Sequence, residues 1–425
     1  MAVRKPHWAV LFGLIVLSGG ILWLLSGRES IEEGRCKLVR KKTDPRSQLM
    51  ELAFQVLQPQ LTKPDEVRDL PPGFNRPCYY YIRSADKGVL MVVNLSASPS
   101  LCLDTDGDGI LSQERCYPVT RVPLAKASSS SWRFGPICLV SDHASSKIDG
   151  GFYISGHRGN TAPGLTAWPA FLRTGKLRLA GQTYQVAVVD GDYDGRFHSF
   201  LSLPLKPGWR PVVDMFAIDL NHDGKFVSAD TPRQGQSEIM PLSHLVRVAD
   251  TYYTIDVSLD GTSLTLSKTE PPLGVLVVEP GDVAVELKLW SDAAGQCLPP
   301  GRQWQLPGGQ YTAVYAGVEK KDASGIVWTF SGGLASAAGA LGVLDFFEIK
   351  PGETTGIKIG PPFVVKTEVQ RAGPGSVSVD LVLTGCAGEQ YRADFQRNGC
   401  RVTEPTFKIV DEKGTVLVAD KFQYG

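Results

Sequence analysis

The chain lacks an excess of either charge, with 44 basic against 44 acidic residues in 425, so nothing in its composition advertises nucleic-acid binding. None of its eight cysteines falls in a CxxC pair, which argues against a zinc ribbon and against a thioredoxin-like redox centre. H-E-x-x-H, G-x-S-x-G, a phosphate-binding glycine loop and the kinase signatures are missing too, so no catalytic residue is assigned. Neither charge nor apolar residues are scarce, at 21% and 43%, which excludes long disorder, collagen and a coiled coil. What is plentiful is 45 Gly and 29 Pro, a surplus that favours many turns between short strands.

One long uncharged run exists, WAVLFGLIVLSGGILWLL from Trp8 to Leu25, spanning roughly 27 Å as a helix and enough to cross a bilayer core. Arg4 and Lys5 precede it, and Trp8 and Trp23 sit near its ends, where indoles favour the interface. A cleaved signal peptide is the rival reading, but the run is long for one and no A-x-A-like site comes after it. Bases cluster after the run, from Arg28 to Lys42, yet large domains translocate largely regardless of local charge. The expectation is an N-terminal membrane anchor with the bulk of the chain extracytoplasmic, periplasmic or at the cell surface. The even cysteine count suits that compartment. Cys102 and Cys116, and likewise Cys386 and Cys400, lie fourteen residues apart, and pairing within each couple is expected.

Leu49, Leu52, Ala53, Val56 and Leu57 recur at spacings of three and four, predicting a short amphipathic helix within Arg46 to Leu57. After Pro71-Pro72-Gly73 the pattern changes to short Val, Ile, Tyr and Thr runs broken by Gly, Asp and Pro, the mark of antiparallel β structure. The predicted class is mainly β: anchor helix at 1–27, juxtamembrane segment with the short helix at 28–70, and a β domain at 71–270. Sandwich modules come next at 271–361 and 362–425, with breaks at Glu270-Pro271-Pro272 and Gly360-Pro361-Pro362. Asp260-Gly261 marks a hairpin. RLAGQTYQVAV (178–188) and RVADTYYTIDV (247–257) echo each other, which predicts two similar hairpins in one sheet-rich domain, since a lone echo is no solenoid.

Three segments share D-x-[DN]-x-D-G: Asp104 to Gly109, Asp190 to Gly195 and Asp219 to Gly224. Chance supplies on the order of 0.02 such matches in a chain of this size. Ca²⁺ takes six to eight oxygens, so acids at positions 1, 3 and 5 of a tight loop converge on one point while Gly at position 6 permits the turn. The candidate metal ligands are Asp104, Asp106, Asp108, Asp190, Asp192, Asp194, Asp219, Asn221 and Asp223, with position-7 carbonyls from Ile110, Arg196 and Lys225. All three loops resemble the first half of the EF-hand or dockerin calcium loop. That resemblance implies a closing carboxylate at position 12, where the third loop has Asp230, the first has Arg115 with Glu114 and Ser112 as substitutes, and the second has Leu201. The sites therefore rank third, first, second, and apolar runs before the second and third loops favour strand–loop over helix–loop–helix geometry.

Further along, Leu306-Pro307-Gly308-Gly309-Gln310-Tyr311 resembles the L-P-x-G-x-Y turn of prealbumin-like or carboxypeptidase-regulatory-like β-sandwich modules, which implies a β-sandwich there. Asp142-His143 and His157 are the only histidine clusters suggestive of chemistry, and Asn94-Leu95-Ser96 fits a glycosylation sequon. The expected role is a membrane-anchored Ca²⁺-binding protein with a binding or structural task, its ligand a protein or glycan of the envelope; the alternative is an extracytoplasmic hydrolase of glycans or peptides with structural calcium. The anchor predicts that full-length protein sediments with membranes and resists alkaline extraction. Recovery in the soluble fraction would sink it.

Overall fold

The computed structural model describes residues 32–43, 55–60, 62–84, 87–94, 99–121, 131–137, 152–157, 164–203, 212–226, 237–279, 283–333, 346–373, 376–391, 394–404 and 406–422. Among these residues the regular structure is all β, with no helix and hence none long and apolar enough to cross a membrane; the run from Trp8 to Leu25 lies outside them. The expected amphipathic helix is corrected where it can be seen. Residues 46–54 lie outside the described set, but Gln55–Leu57 is a strand paired antiparallel with Leu165–Ala167. Three residues at a helix end leave backbone groups open, whereas a sheet edge satisfies them, and the pairing also buries Leu57.

The strands among the described residues up to 270 form four antiparallel sheets. Sheet I contains Pro77–Ser84, Lys87–Asn94, Ser100–Leu103 and Cys116–Pro118; sheet II runs Gln55–Leu57, Leu165–Pro169, Phe152–His157, Ser131–Ile137, Thr120–Arg121. Sheet III runs Ile239–Pro241, Met215–Ile218, Gln182–Val189, Phe171–Leu179, Val39–Lys42, and sheet IV runs Arg35–Lys37, Ser263–Thr269, Thr251–Val257, Leu245–Val248. The segment expected to be juxtamembrane thus contributes strands to both III and IV.

Side-chain alternation shows how the sheets stack. In sheet II, Phe152, Ile154, Leu165 and Ala167 share a core with Tyr80, Ile82, Met91 and Leu101 of sheet I. The opposite face of II presents Tyr153 and Trp168 to Ala187, Val189, Met215 and Ala217 of sheet III. The other face of III puts Tyr184, Val186, Val188, Phe216 and Ile218 against Tyr253, Ile255, Val257 and Leu264 of sheet IV. The order is therefore I, II, III, IV. Sheet III is buried on both faces, which is why VAVV at 186–189 reads as a continuous apolar run. The echoing segments are two hairpins, one in III and one in IV, and their matched residues Tyr184 and Tyr253, Val188 and Val257 lie in the same core.

The outer face of sheet I is covered by the chain before it, with Val67, Leu70 and Phe74 packed on Tyr79, Leu90 and Val92. Cys102 and Cys116 are opposite each other in adjacent strands and form a disulfide. Asn94 of the sequon is buried and its Nδ2 donates to the Gly73 carbonyl (3.1 Å).

The remaining chain builds a sandwich. Leu273–Glu279 pairs with Gln303–Pro307 and, in parallel, with Thr354–Lys358; facing it are Gln296–Gly301, Ala284–Ser291, Gly309–Lys321, Val327–Gly333, Asp394–Arg397 and Cys400–Arg401. Tyr311 of the L-P-x-G-x-Y turn is buried and its hydroxyl donates to the Pro307 carbonyl (2.8 Å). Chain on both sides of the expected break at 361 shares one core, since Leu383 and Tyr391 pack with Leu276, Val318 and Ile357. A fully buried carboxylate ties that junction: Glu389 accepts from the Gly360 N–H (2.6 Å), the Ala387 N–H (2.9 Å) and the Tyr391 hydroxyl (2.9 Å). The expected Cys386–Cys400 pairing is corrected: both thiols are free and exposed, Cys386 in the turn after Ser376–Thr384 and Cys400 on the edge strand beyond Asp394–Arg397. Thr406–Val410 and Val416–Lys421 form a hairpin of their own.

Joining Cys102 to Cys116 closes a loop of fourteen residues, a restraint on the unfolded chain worth about 3 kcal/mol. Replacing both by Ser is expected to lower stability by about that amount in denaturant melts. Equal stability of the double variant would show that the cross-link restrains nothing.

Candidate metal centre

The three acidic loops share one local conformation despite different surroundings. With the first Asp as position 1, the position-6 glycine N–H donates to Oδ2 of position 1 in each, at 3.2, 3.0 and 2.9 Å. The position-5 N–H donates to Oδ1 of position 3 at 3.1, 3.4 and 2.8 Å. The N–H groups of Ile110, Arg196 and Lys225 donate to Oδ1 of position 5 at 2.7, 2.7 and 2.8 Å. Position 4 has φ of 77, 60 and 60° at Gly107, Tyr193 and His222, and position 6 has 76, 77 and 78°. Positive φ at position 6 explains the glycine. At Gly109 a second constraint applies, because a Cβ there would meet the Glu66 carbonyl at 1.9 Å.

Each loop is also held by a carboxylate from outside its triplet. Glu114 accepts from the Thr105 N–H (2.8 Å), Asp214 from the Gly191 N–H (3.1 Å), and Glu238 from the N–H groups of Leu220 (2.8 Å) and Asn221 (3.1 Å). Position 2 is thus tied down three times in the same way. Glu114 also accepts from the Thr105 hydroxyl (2.9 Å), and Ser112 donates its own to Asp69 (2.5 Å), so both proposed substitutes in the first loop already have protein partners.

Burial separates the loops. Asp104 and Asp219 are buried, but Asp106, Asn221 and Asp223 are exposed. In the second loop Asp190 is 5% exposed, Asp192 2% and the neighbouring Asp214 0%. One ligand oxygen from each of Asp104, Asp106 and Asp108 lies within 4.8 Å of the others, and the same holds for Asp190, Asp192 and Asp194. These two triplets can hold a metal ion. Asp230 and Val227, on which the third loop's ranking rests, lie outside the described residues, as do Asp142 and His143. His157 is the last residue of a sheet II strand.

The second cluster is short of positive charge. Asp190 Oδ1 is buried with no hydrogen-bond donor, and no ion pair among the described residues involves Asp190, Asp192, Asp194 or Asp214. Burial, and after it the charges of Asp192 and Asp194, pushes the Asp190 carboxyl well above the usual range. Burial and then Asp190 and Asp192 do the same to Asp214, and burial with Asp194 raises Asp192. In the first loop burial, with the Asp106 and Asp108 charges adding to it, raises Asp104. A carboxylate oxygen in such a place wants either a proton or a cation.

Asp214 was beyond reach of motif reading because it is 20 residues past the second motif's Asp194 in sequence and joins it only through folding. Its one sequence signal is an isolated acid directly ahead of the apolar strand Met215–Ile218, whose other end carries Asp219. Gly191 is required for the contact, since a Cβ there would lie 2.1 Å from the Val213 carbonyl. No known protein family, curated protein or solved structure matches this chain.

With divalent metal chelated, the raised carboxyls keep their protons to higher pH in the folded chain than in the unfolded one. Their stabilising contribution is therefore complete below the ordinary carboxylate range and is lost as pH rises through the elevated folded values. In chelator the melting temperature is expected to fall between about pH 4 and pH 7, and Asp190→Asn to flatten the fall. A pH profile that the substitution leaves unchanged would count against mutual repulsion in this cluster.

Proposed function

We propose that this is a membrane-anchored, extracytoplasmic calcium-binding protein with a binding or structural role, in which Ca²⁺ braces β-turn loops. The observation that carries the reading is the buried Asp190 Oδ1, left without a donor among four carboxylates. The donor set decides the ion. Carboxylates in a tight loop, without thiolate, favour a hard cation over zinc or copper. Clustered acids in an irregular turn suit Ca²⁺, whose coordination geometry is adaptable, better than Mg²⁺, which demands near-ideal octahedral geometry. The repeated conformation of the three loops supports the resemblance to the first half of an EF-hand loop, and the absence of flanking helices among the described residues favours a brace over an opening sensor. The anchor rests on the run from Trp8 to Leu25, and the outside location on that anchor together with the Cys102–Cys116 pair.

A cation that binds only the folded chain stabilises it by about 2.7 kcal/mol per site at hundredfold excess over Kd. Thermal melts of the full-length protein are expected to show a higher midpoint in calcium than in chelator, and a smaller rise in magnesium. Asp219→Ala and Asp223→Ala should each remove part of the calcium increment. If chelation leaves the midpoint unmoved, the calcium reading collapses.

A further inference from the structure

The second loop reaches three cores at once. Val189, directly before it, packs between sheets II and III. Tyr193, its fourth residue, is buried in the core between sheets I and II, with its ring 4.9 Å from Phe152. Phe197, two residues past the closing Gly195, is buried between sheets III and IV. The next stretch of chain is bonded across the ends of the sheets: Phe197 N–H donates to Leu259 O (3.1 Å), Leu201 N–H to Leu242 O (2.8 Å) and Asp214 N–H to Ser199 O (3.1 Å). Asp214 closes the circuit, accepting from the Gly191 and Ser199 N–H groups at 3.1 and 2.9 Å while its carbonyl accepts from Leu242 N–H at 2.7 Å.

Neither of the other loops has this reach. Position 4 of the first is the exposed Gly107, and position 4 of the third is the exposed His222, resting on Tyr184 at 4.9 Å. The sandwich beyond residue 273 has a core of its own. It meets the four-sheet stack through hydrogen bonds such as Ser243 Oγ to Ser291 O (3.0 Å) and Leu245 N–H to Ala293 O (2.7 Å).

We propose that the cation of the second loop is a keystone: it is captured as sheets I to IV close, does not leave the folded chain, and its removal opens those four sheets together while the sandwich persists. The first and third loops exchange their ions by local fraying. This rests on the calcium reading and adds to it a division of labour among the sites. An ion held where Asp190, Asp192 and Asp214 are out of water can escape only when the surrounding cores part, an opening close in cost to global unfolding. An ion whose ligands include exposed Asp106 or Asp223 needs only a loop to move.

The test is calcium release and amide hydrogen exchange on the full-length protein, loaded with radioactive calcium and then placed in chelator. A single ion per chain is expected to leave roughly a hundredfold or more slowly than the rest, the ratio of sub-global to local opening. Its loss should coincide with deprotection of strands in sheets I to IV, with 273–391 still protected. Asp219→Asn should keep the slow ion, and Asp190→Asn should lose it. Calcium that binds but leaves in one fast phase, or slow loss that deprotects only 190–203, overturns the keystone and leaves the calcium reading standing. Failure to bind calcium at all overturns the calcium reading itself. If Asp190→Asn does not fold, the release kinetics of the unaltered protein and of Asp219→Asn still decide the matter.

Discussion

Closing sheets II, III and IV on one another carries Asp190, Asp192 and Asp214 out of water, and the rest of the stack can be assembled only if that transfer is compensated. Hydrogen bonding compensates part of it. Asp214 accepts two backbone N–H groups, and Asp190 accepts one on Oδ2. What these bonds leave is the mutual repulsion of the group and an Asp190 oxygen with nothing to accept. Apolar residues at these positions would remove the cost altogether, whereas Asp190 and Asp192 form with Asp194 a triplet that can hold a metal ion, whose charge would offset it.

That constraint explains the placement of the loop within the stack. Sheets II and III each pack on other sheets through both faces, by cores that reach this loop, and the central strand of sheet III, Gln182–Val189, leads straight into the second loop. Tyr193 and Phe197 then diverge into different cores. Because interiors are close-packed, a shift of the loop is transmitted to both. The opposite end of the same sheet carries the third loop, whose Asp219 N–H donates to Gln185 O at 2.9 Å but whose outer residues face solvent. Two loops of one conformation on one sheet thus differ in how deeply the sheet's neighbours enclose them.

Much of this was legible in the sequence. The D-x-[DN]-x-D-G spacing located all three loops, and the two similar hairpins suggested by the echo between 178–188 and 247–257 are present in the sheets. The burial that sets the second loop apart was not legible, because that burial and the partner Asp214 come from strands brought alongside by folding. The same limit explains Gln55–Leu57. Its apolar spacing fits a helix as well as a strand, and the free edge at Leu165–Ala167 decides the matter. The Cys386–Cys400 expectation failed on equal spacing alone: Cys102 and Cys116 are opposite each other in a ladder, whereas the second pair is divided between a turn and a separate edge strand.

The three loops separate two properties that a motif usually merges. Conformation is local: the Asx-type bonds, the positive φ at positions 4 and 6 and the tethered position 2 recur whatever lies around the loop. Coupling to the fold is not local, and it turns on the residue at position 4. Gly107 and His222 leave their loops at the surface, while Tyr193 uses the same backbone turn to send a phenol ring into the core beside Phe152. One side chain, at a position outside the candidate ligand set, therefore distinguishes a loop whose turn stays at the surface from one whose turn enters the core.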